Sequence, residues 1–342
     1  MIRAIEELLL RDWSALGLQG PCPPRLAFIQ ISSSWLQDSG RITFLIFKPD
    51  DSYPCLVARI VRSESFKHIL LNEHANLVSI HADNPTLDGS IPTPIFCGIL
   101  DGKTVRIETA LEGTLLTSLI ARSGGRGRQV LVTQVYEQLG AWLDKFGHPR
   151  HPPTLWPWEK LKNRFHVSIS EFCEHFELDS TERDYIGWLR ARIEATGQLE
   201  LPIVPNHGDL AAAAILVRDN GLGIIDWEYY CPEGLPLFDH LMAVVQTGFC
   251  LSTTKTLTLL DQFKMSFAAN WYSEMAAGWL RAACQRFGLP ESLLSLWLTL
   301  FLIEMSNKRD WEQQAARKHG EKGWRNLFSY YVSHKDCCYL TR

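Results

Sequence analysis

Very little in this sequence leans to an extreme. Its net charge is only −4 over 342 residues, too weak a bias to call for nucleic acid or an anionic membrane as partner. No Cys-x-x-Cys pair occurs among the nine cysteines, which are scattered singly apart from Cys337-Cys338, so a zinc site of that kind is not expected. No apolar stretch reaches the roughly 20 residues a bilayer requires. The longest near the end, Leu293 to Ile303, reads instead as a buried helix. No signal peptide is expected, since Met1 to Leu10 carries Glu6 and Glu7 and reads as an amphipathic helix. With the odd cysteine count, this points to reduced thiols in a cytoplasmic protein. No internal repeat or low-complexity tract is evident apart from the alanines at 211–214.

What is present is a hydrophobic fraction of 46%, enough for a sizeable core and a chain of two lobes. One stretch organises the rest. Asn206-His207-Gly208-Asp209-Leu210 opens a polar loop, and Ile215 to Val217 follows as a short strand. Asp219-Asn220-Gly221 is a hairpin turn signal, and Leu222 to Ile225 returns as a second strand that delivers Asp226. The pattern predicts Asp209 and Asp226 at the same end of one hairpin. Two such carboxylates suit phosphoryl transfer, one orienting and deprotonating a hydroxyl and the other holding magnesium on nucleotide phosphates.

At these residues the chain resembles the aminoglycoside phosphotransferase and choline kinase family, whose usual form is His-Gly-Asp-Leu, three variable residues, Asn-Ile-Leu, then Ile-Asp-Trp/Phe-Glu. The resemblance implies an α+β, protein-kinase-like bilobal fold, with a small antiparallel-sheet N-lobe and a large, mainly helical C-lobe. It implies a phosphotransferase that moves the γ-phosphate of ATP or GTP, with Mg²⁺, to a hydroxyl of a small acceptor such as an aminoglycoside, an amino alcohol or a sugar. By position, Asp209 resembles the base, Asp226 the metal-binding aspartate and His207 a structural brace of the loop. The family's metal-binding asparagine is here Ala214, which has no side-chain oxygen for a cation. That departure opens a second reading, a catalytically impaired pseudokinase or binding module with the same fold. A kinase acting on a peptide or carrier-bound hydroxyl is a third.

In chain order, residues 2–16 read as a helix, and Leu26 to Ile31, Arg41 to Phe47 and Cys55 to Val61 as strands. The loop between the first two, with Ser33, Ser34 and Gly40, resembles the place of a phosphate-covering glycine-rich loop, but it is serine-rich and reads equally as an ordinary hairpin loop. Arg59 matches the family's phosphate-gripping strand cation, with a surface arginine as the bland alternative. Residues 63–80 look helical and carry Glu73, a candidate partner for Arg59 or a solvated acid. Ile95 to Leu100 and Thr104 to Thr109 form a hairpin about Asp101-Gly102. Glu108 to Gly113 resembles the hinge, Glu108 and Ala110 offering contacts to the nucleotide. The expected domains are therefore 1–108 and 109–342, the second holding the catalytic loop (206–217), the metal segment (223–228) and the acceptor site.

Beyond the hinge the chain reads as mostly helical. Gly124 to Arg128 is a basic loop, either a phosphate contact or a solvated linker. Ser180 is the candidate N-cap of a helix from 180 to 196, with Arg183 where a capping box wants Glu or Gln. Asp239, in the segment Gly234-Leu235-Pro236-Leu237-Phe238-Asp239, resembles the aspartate that caps the next helix and ties to the catalytic loop. Glu228, Glu233, Glu304 and Asp310 are candidate acceptor contacts or solvated acids, and the tryptophans beyond Phe238, at helical spacing, read as core or, for some, as lining of an acceptor pocket.

Overall fold

The computed structural model describes residues 1–32, 41–147, 154–252, 259–310 and 323–341. The chain divides into two compact units. One comprises Met1–Leu116, Trp142–His151 and Ala213–Tyr230, the other Thr117–Ala141, Pro152–Ala212 and Cys231–Arg342.

The first unit is built on a five-stranded antiparallel sheet of β1 (Ala27–Ser32), β2 (Arg41–Phe47), β3 (Leu56–Val61), β4 (Pro94–Leu100) and β5 (Lys103–Thr109), in the order β1-β2-β3-β5-β4. The β4–β5 connection is the expected Asp101-Gly102 turn, with φ of +47° and +71°, the pair of left-handed residues that a tight hairpin turn demands. Alternation along the strands decides the two faces. Phe44 and Ile46, Leu56, Ala58 and Ile60, and Val105 and Ile107 point one way and form a core with Ile5, Leu9 and Trp13 at helix α1 (Ile2–Asp12). Arg41 and Thr43, Arg59, and Thr104, Arg106 and Glu108 point the other way, toward helix α2 (Lys67–Asp83). On α2, Leu70, Glu73, Leu77 and Ile80 are buried at helical spacing, so an acid lies in the middle of an apolar stripe.

A smaller sheet completes this unit: β10 (Ile215–Arg218) pairs with β11 (Gly221–Ile224) and with β6 (Thr114–Leu115). Arg218 pairs with Gly221, whose φ of +117° closes the turn. Three hydrogen bonds tie the segment to the rest of the unit: Ile224 N–H to the Ser90 carbonyl (2.8 Å), Asn76 Nδ2 to the Trp227 carbonyl (2.8 Å), and Arg218 to the Gly89 carbonyl. Trp142 and Phe146 from the end of α4 (Gly125–Phe146) pack on Trp227.

The second unit is mainly helical. After the short α3 (Leu116–Arg122) and α4, which both units share, come α5 (Trp158–His175), α6 (Ser180–Ala195), α7 (Phe238–Leu251), α8 (Leu259–Ser266), α9 (Trp271–Phe287), α10 (Leu294–Met305) and α11 (Trp324–His334). Two-stranded pairs join β7 (Leu155–Pro157) to β8 (Glu200–Pro202) and β9 (Val204–Asn206) to β12 (Cys231–Gly234). α10 is buried over nearly its whole length, as the apolar run predicts. The α6 cap differs from expectation. Asp179 is the N-cap, its side chain accepting from Glu182 N–H while Glu182 reaches back to the Asp179 amide. Ser180 is thus the first helical residue, because the acid–Glu pair one residue earlier closes both halves of the box. Among the described residues no single helix is long and apolar enough to cross a membrane.

Candidate active site

The polar face of the large sheet carries an ion network. Arg59 on β3 and Arg106 on β5 are direct cross-strand partners, so two guanidinium groups stand side by side on a buried face. Two like charges there are tolerable only if acids surround them. Glu73 of α2 supplies the first. Its Oε1 accepts from Arg59 Nη1 at 2.6 Å, and its Oε2 faces Arg106 and, at 3.4 Å, Arg41. Glu108 pairs with Arg106 and lies 3.6 Å from Arg59. At the rim, Arg59 Nη2 donates to Asp226 at 2.6 Å and Arg41 donates to Glu228. All seven residues belong to the sheet unit.

Burial works against the Arg59 charge, but Glu73, Asp226 and Glu108 outweigh it and carry its pKa well above the ordinary arginine value. Burial likewise pulls the Glu73 carboxyl upward, yet Arg59, Arg106 and Arg41 together hold it down to about 2. Glu108 goes the other way, because burial and the neighbouring Glu73 and Asp226 charges exceed what Arg106 and Arg59 give back. Removing one member of such a buried set leaves its partner uncompensated, at a cost of about 3–5 kcal/mol. Arg59 and Glu73 therefore meet as a pair, and Arg59 is a buried residue rather than a surface one.

Asp226 follows the β10–β11 hairpin and has φ of +66°, a left-handed conformation that aspartate tolerates better than most residues. Ala214 lies at the same open end, its carbonyl accepting from Ile225 N–H at 3.0 Å and its methyl buried. The position where the family has a metal-binding asparagine is thus held against the residue before Asp226. Among the described residues no group of three or more His, Cys, Asp or Glu side chains could hold a metal ion. Asp226 is a single carboxylate, its side chain 37% exposed and paired with Arg59.

The His-Gly-Asp loop belongs to the helical unit. Asp239 does not cap α7: the N-cap is Leu237, in the left-handed region at φ +68°, and Asp239 is the second helical residue. Its buried carboxylate instead accepts from His207 N–H at 2.7 Å and Gly208 N–H at 3.0 Å. Burial raises the pKa of this carboxyl, against the pull of His207 and of the two amides. The unfavourable φ at Leu237, where a branched side chain is strained, turns the chain so that the first turn of α7 meets the loop. His207 is fully buried, and its Nδ1 accepts from the Asp209 amide at 3.2 Å. Asp209 itself is half-buried, and its carbonyl turns the chain by accepting from Ala211 N–H at 2.7 Å.

The remaining candidates scatter. Ser33, Ser34 and Gly40 lie outside the described residues. The Ala110 amide donates to the Cys55 carbonyl at 3.0 Å, so this N–H extends the ladder rather than facing a nucleotide base. Glu228, expected toward the acceptor, is instead held by Arg41 in the sheet unit. In the helical unit, Arg164 connects two of the others: it donates to the exposed Glu233 through that residue's carbonyl (3.2 Å) and lies 3.6 Å from the buried Glu304 carboxylate, which also pairs with Lys308 at 3.1 Å. Asp310 ends the π-helical turn Ser306–Asp310. Arg41 and Arg106 were not foreseen. Their signal was available in the strand alternation, which puts both on the face of Arg59.

A sequence model of the phosphotransferase enzyme family matches residues 49–287. Comparison with curated protein sequences gives no match. Among solved structures, a thermostable mutant of aminoglycoside phosphotransferase APH(4)-Ia in ternary complex with ADP and hygromycin B is similar with a TM-score of 0.54 and 11% identity, over 99% of this chain and 98% of that one. The apo form of a thermostable mutant of the same enzyme is similar with a TM-score of 0.53 and 13% identity, over 98% of each chain. The likeness is one of fold, α+β and protein-kinase-like.

Proposed function

The chain belongs to the phosphotransferase enzyme family, and we propose that it is a small-molecule kinase, moving the γ-phosphate of ATP or GTP to a hydroxyl of an aminoglycoside-like compound, an amino alcohol or a sugar. One observation supports this most. A single buried guanidinium, Arg59, touches both Glu73 and Asp226, each at 2.6 Å, so the cation suited to phosphate and the carboxylate suited to a metal share one spot. The similar enzyme in ternary complex with ADP and hygromycin B is consistent with a nucleotide and a hydroxyl-bearing acceptor.

In this reading Arg59 leaves Asp226 for the α- and β-phosphates while Glu73 keeps its side chain aligned. Asp226 would hold Mg²⁺, which supplies charge neutralisation on the phosphates when bound. Asp209 orients the acceptor hydroxyl and takes its proton, on a loop fixed by His207 and by Asp239. Little covalent chemistry falls to the protein, so positioning carries the rate.

Ala214 keeps the second reading, an impaired kinase, in play, since its methyl stands where a metal ligand is expected. Both are tested together by Mg-ATP binding and phosphate transfer in the wild type, Asp209→Asn and Ala214→Asn. A working kinase loses about 10²–10⁴-fold in turnover with Asp209→Asn while nucleotide affinity changes little. Normal turnover in that variant would falsify the assignment of the base. Binding without turnover, restored by Ala214→Asn, identifies the impaired form.

A further inference from the structure

Three arginines lie on the carboxylate of Glu73, and Arg41, not the buried Arg59, is the most exposed of them. Arg59 takes Oε1 and Arg41 lies on Oε2, and each also holds a carboxylate from the segment after the hairpin, Asp226 for Arg59 and Glu228 for Arg41. Exposure divides the network. Arg106 and Glu73 are 1% exposed and Glu108 4%, whereas Arg41 is 22%, Glu228 18% and Asp226 37% exposed. The sealed members brace, and the rim members are the ones a ligand can reach. Arg41 is the first residue of β2, on the same sheet face as Arg59.

We propose that Arg41 is a second phosphate-binding residue for the nucleotide, alongside Arg59, and that Glu228 occupies it until the nucleotide arrives. This deepens the kinase reading and rests on it. The charges require such an exchange. Three arginines face four carboxylates, a formal charge of −1 when every group is ionised. A polyphosphate entering that field is repelled unless carboxylates withdraw from the guanidinium groups. Asp226 would hold the metal in place of its bond to Arg59, and withdrawal of Glu228 would free Arg41. A guanidinium fork donates to phosphate oxygens with the same two-point geometry it offers a carboxylate. Glu228 is well placed to yield, because the backbone before it is separately anchored through the Asn76 bond to the Trp227 carbonyl.

The rival role for Arg41 is purely structural, holding Glu228 and the post-hairpin segment to the sheet. Calorimetric titration of the full chain with adenosine, ADP and a non-hydrolysable ATP analogue, all with Mg²⁺, separates the two in wild type, Arg41→Ala, Arg41→Lys and Glu228→Gln. Arg41→Ala should weaken the triphosphate by about tenfold or more and leave adenosine unchanged, with Arg41→Lys recovering part of the loss. Glu228→Gln should tighten the triphosphate several-fold, a direction structural damage does not produce. Equal loss for adenosine and triphosphate in Arg41→Ala, or weaker binding in Glu228→Gln, overturns the proposal. If Arg41→Ala does not fold, the Arg41→Lys and Glu228→Gln arms decide it. A wild type that binds none of the three removes the kinase reading as well, whereas a wild type that binds while all variants match it removes this proposal alone.

Discussion

Replacing Asp239 by alanine should release the backbone of the His-Gly-Asp loop before it unfolds the protein. The carboxylate is 3% exposed and accepts two main-chain donors, His207 N–H at 2.7 Å and Gly208 N–H at 3.0 Å. Hydrogen bonds to a charged acceptor contribute about 1.5–3 kcal/mol each, so the pair contributes about 3–6 kcal/mol. Part of this returns on mutation, because burial already disfavours the charged carboxyl and raises its pKa. A net local loss of about 3 kcal/mol follows, and at about 1.4 kcal/mol per decade this is roughly a hundredfold faster opening of the two amides. Hydrogen exchange read by mass spectrometry on a peptide covering 204–211 measures it directly, with circular dichroism confirming that the helices persist. Asp239→Asn retains one acceptor oxygen and should fall between wild type and alanine. Unchanged exchange at His207 and Gly208 in a folded Asp239→Ala protein refutes the reasoning, since no other effect of the mutation restores two buried amide partners.

Two further outcomes follow from the same unit. His240 is buried against Trp279, with ring centroids 4.6 Å apart, and burial, aided by Arg286, brings its pKa down to about 3. A folded pKa below the ordinary 6.5 means the unfolded chain takes the proton first. The stability is then full above about 6.5 and falls as pH drops toward 3, so about 2 kcal/mol should go by pH 5, measured by denaturant titration at pH 7.5 and 5. The loss should shrink in His240→Phe, and equal slopes in the two proteins would count against it. At Gly234 an added Cβ would stand 1.9 Å from Asn206 Oδ1, the side chain whose Nδ2 donates to the Leu235 carbonyl at 3.1 Å. Gly234→Ala should therefore lower stability by about 2–3 kcal/mol in thermal denaturation, and a change within about 0.5 kcal/mol would show that Asn206 can swing aside.

Local signals carried the elements. Alternation from Arg41 to Phe47 and from Lys103 to Thr109, the Asp101-Gly102 turn and the apolar run of α10 were each legible because they rest on neighbours in sequence. The α6 cap was misread by one residue because Asp179 and Ser180 are both good caps, and only the spacing to Glu182 separates them. What failed to show was long range. Glu228 meets an arginine 187 residues away, and the tie of Asp239 to amides 31 and 32 residues away was reached only through the family resemblance, not from the residues themselves. Period two tells which residues share a face of a strand, but not that α2 will bring an acid onto that face. Alternation thus puts Arg106 on the face of Arg59, but nothing local says that Glu73 meets it there.

The sheet-bearing unit is not contiguous in sequence, and this has a consequence for how the protein is made. Its third segment ends at Tyr230 of a 342-residue chain. While the ribosome has delivered only the first 116 residues, β6 has no partner strand, Ser90 and Asn76 lack the groups they bond, and Arg59 lacks Asp226. The amino-terminal portion must therefore wait, unfinished, until about two-thirds of the chain has been made, that is, while a further third is synthesised. A fragment cut after the fifth strand should behave as an incomplete sheet with a surplus of buried positive charge, and only a chain reaching past Tyr230 can close that half of the molecule.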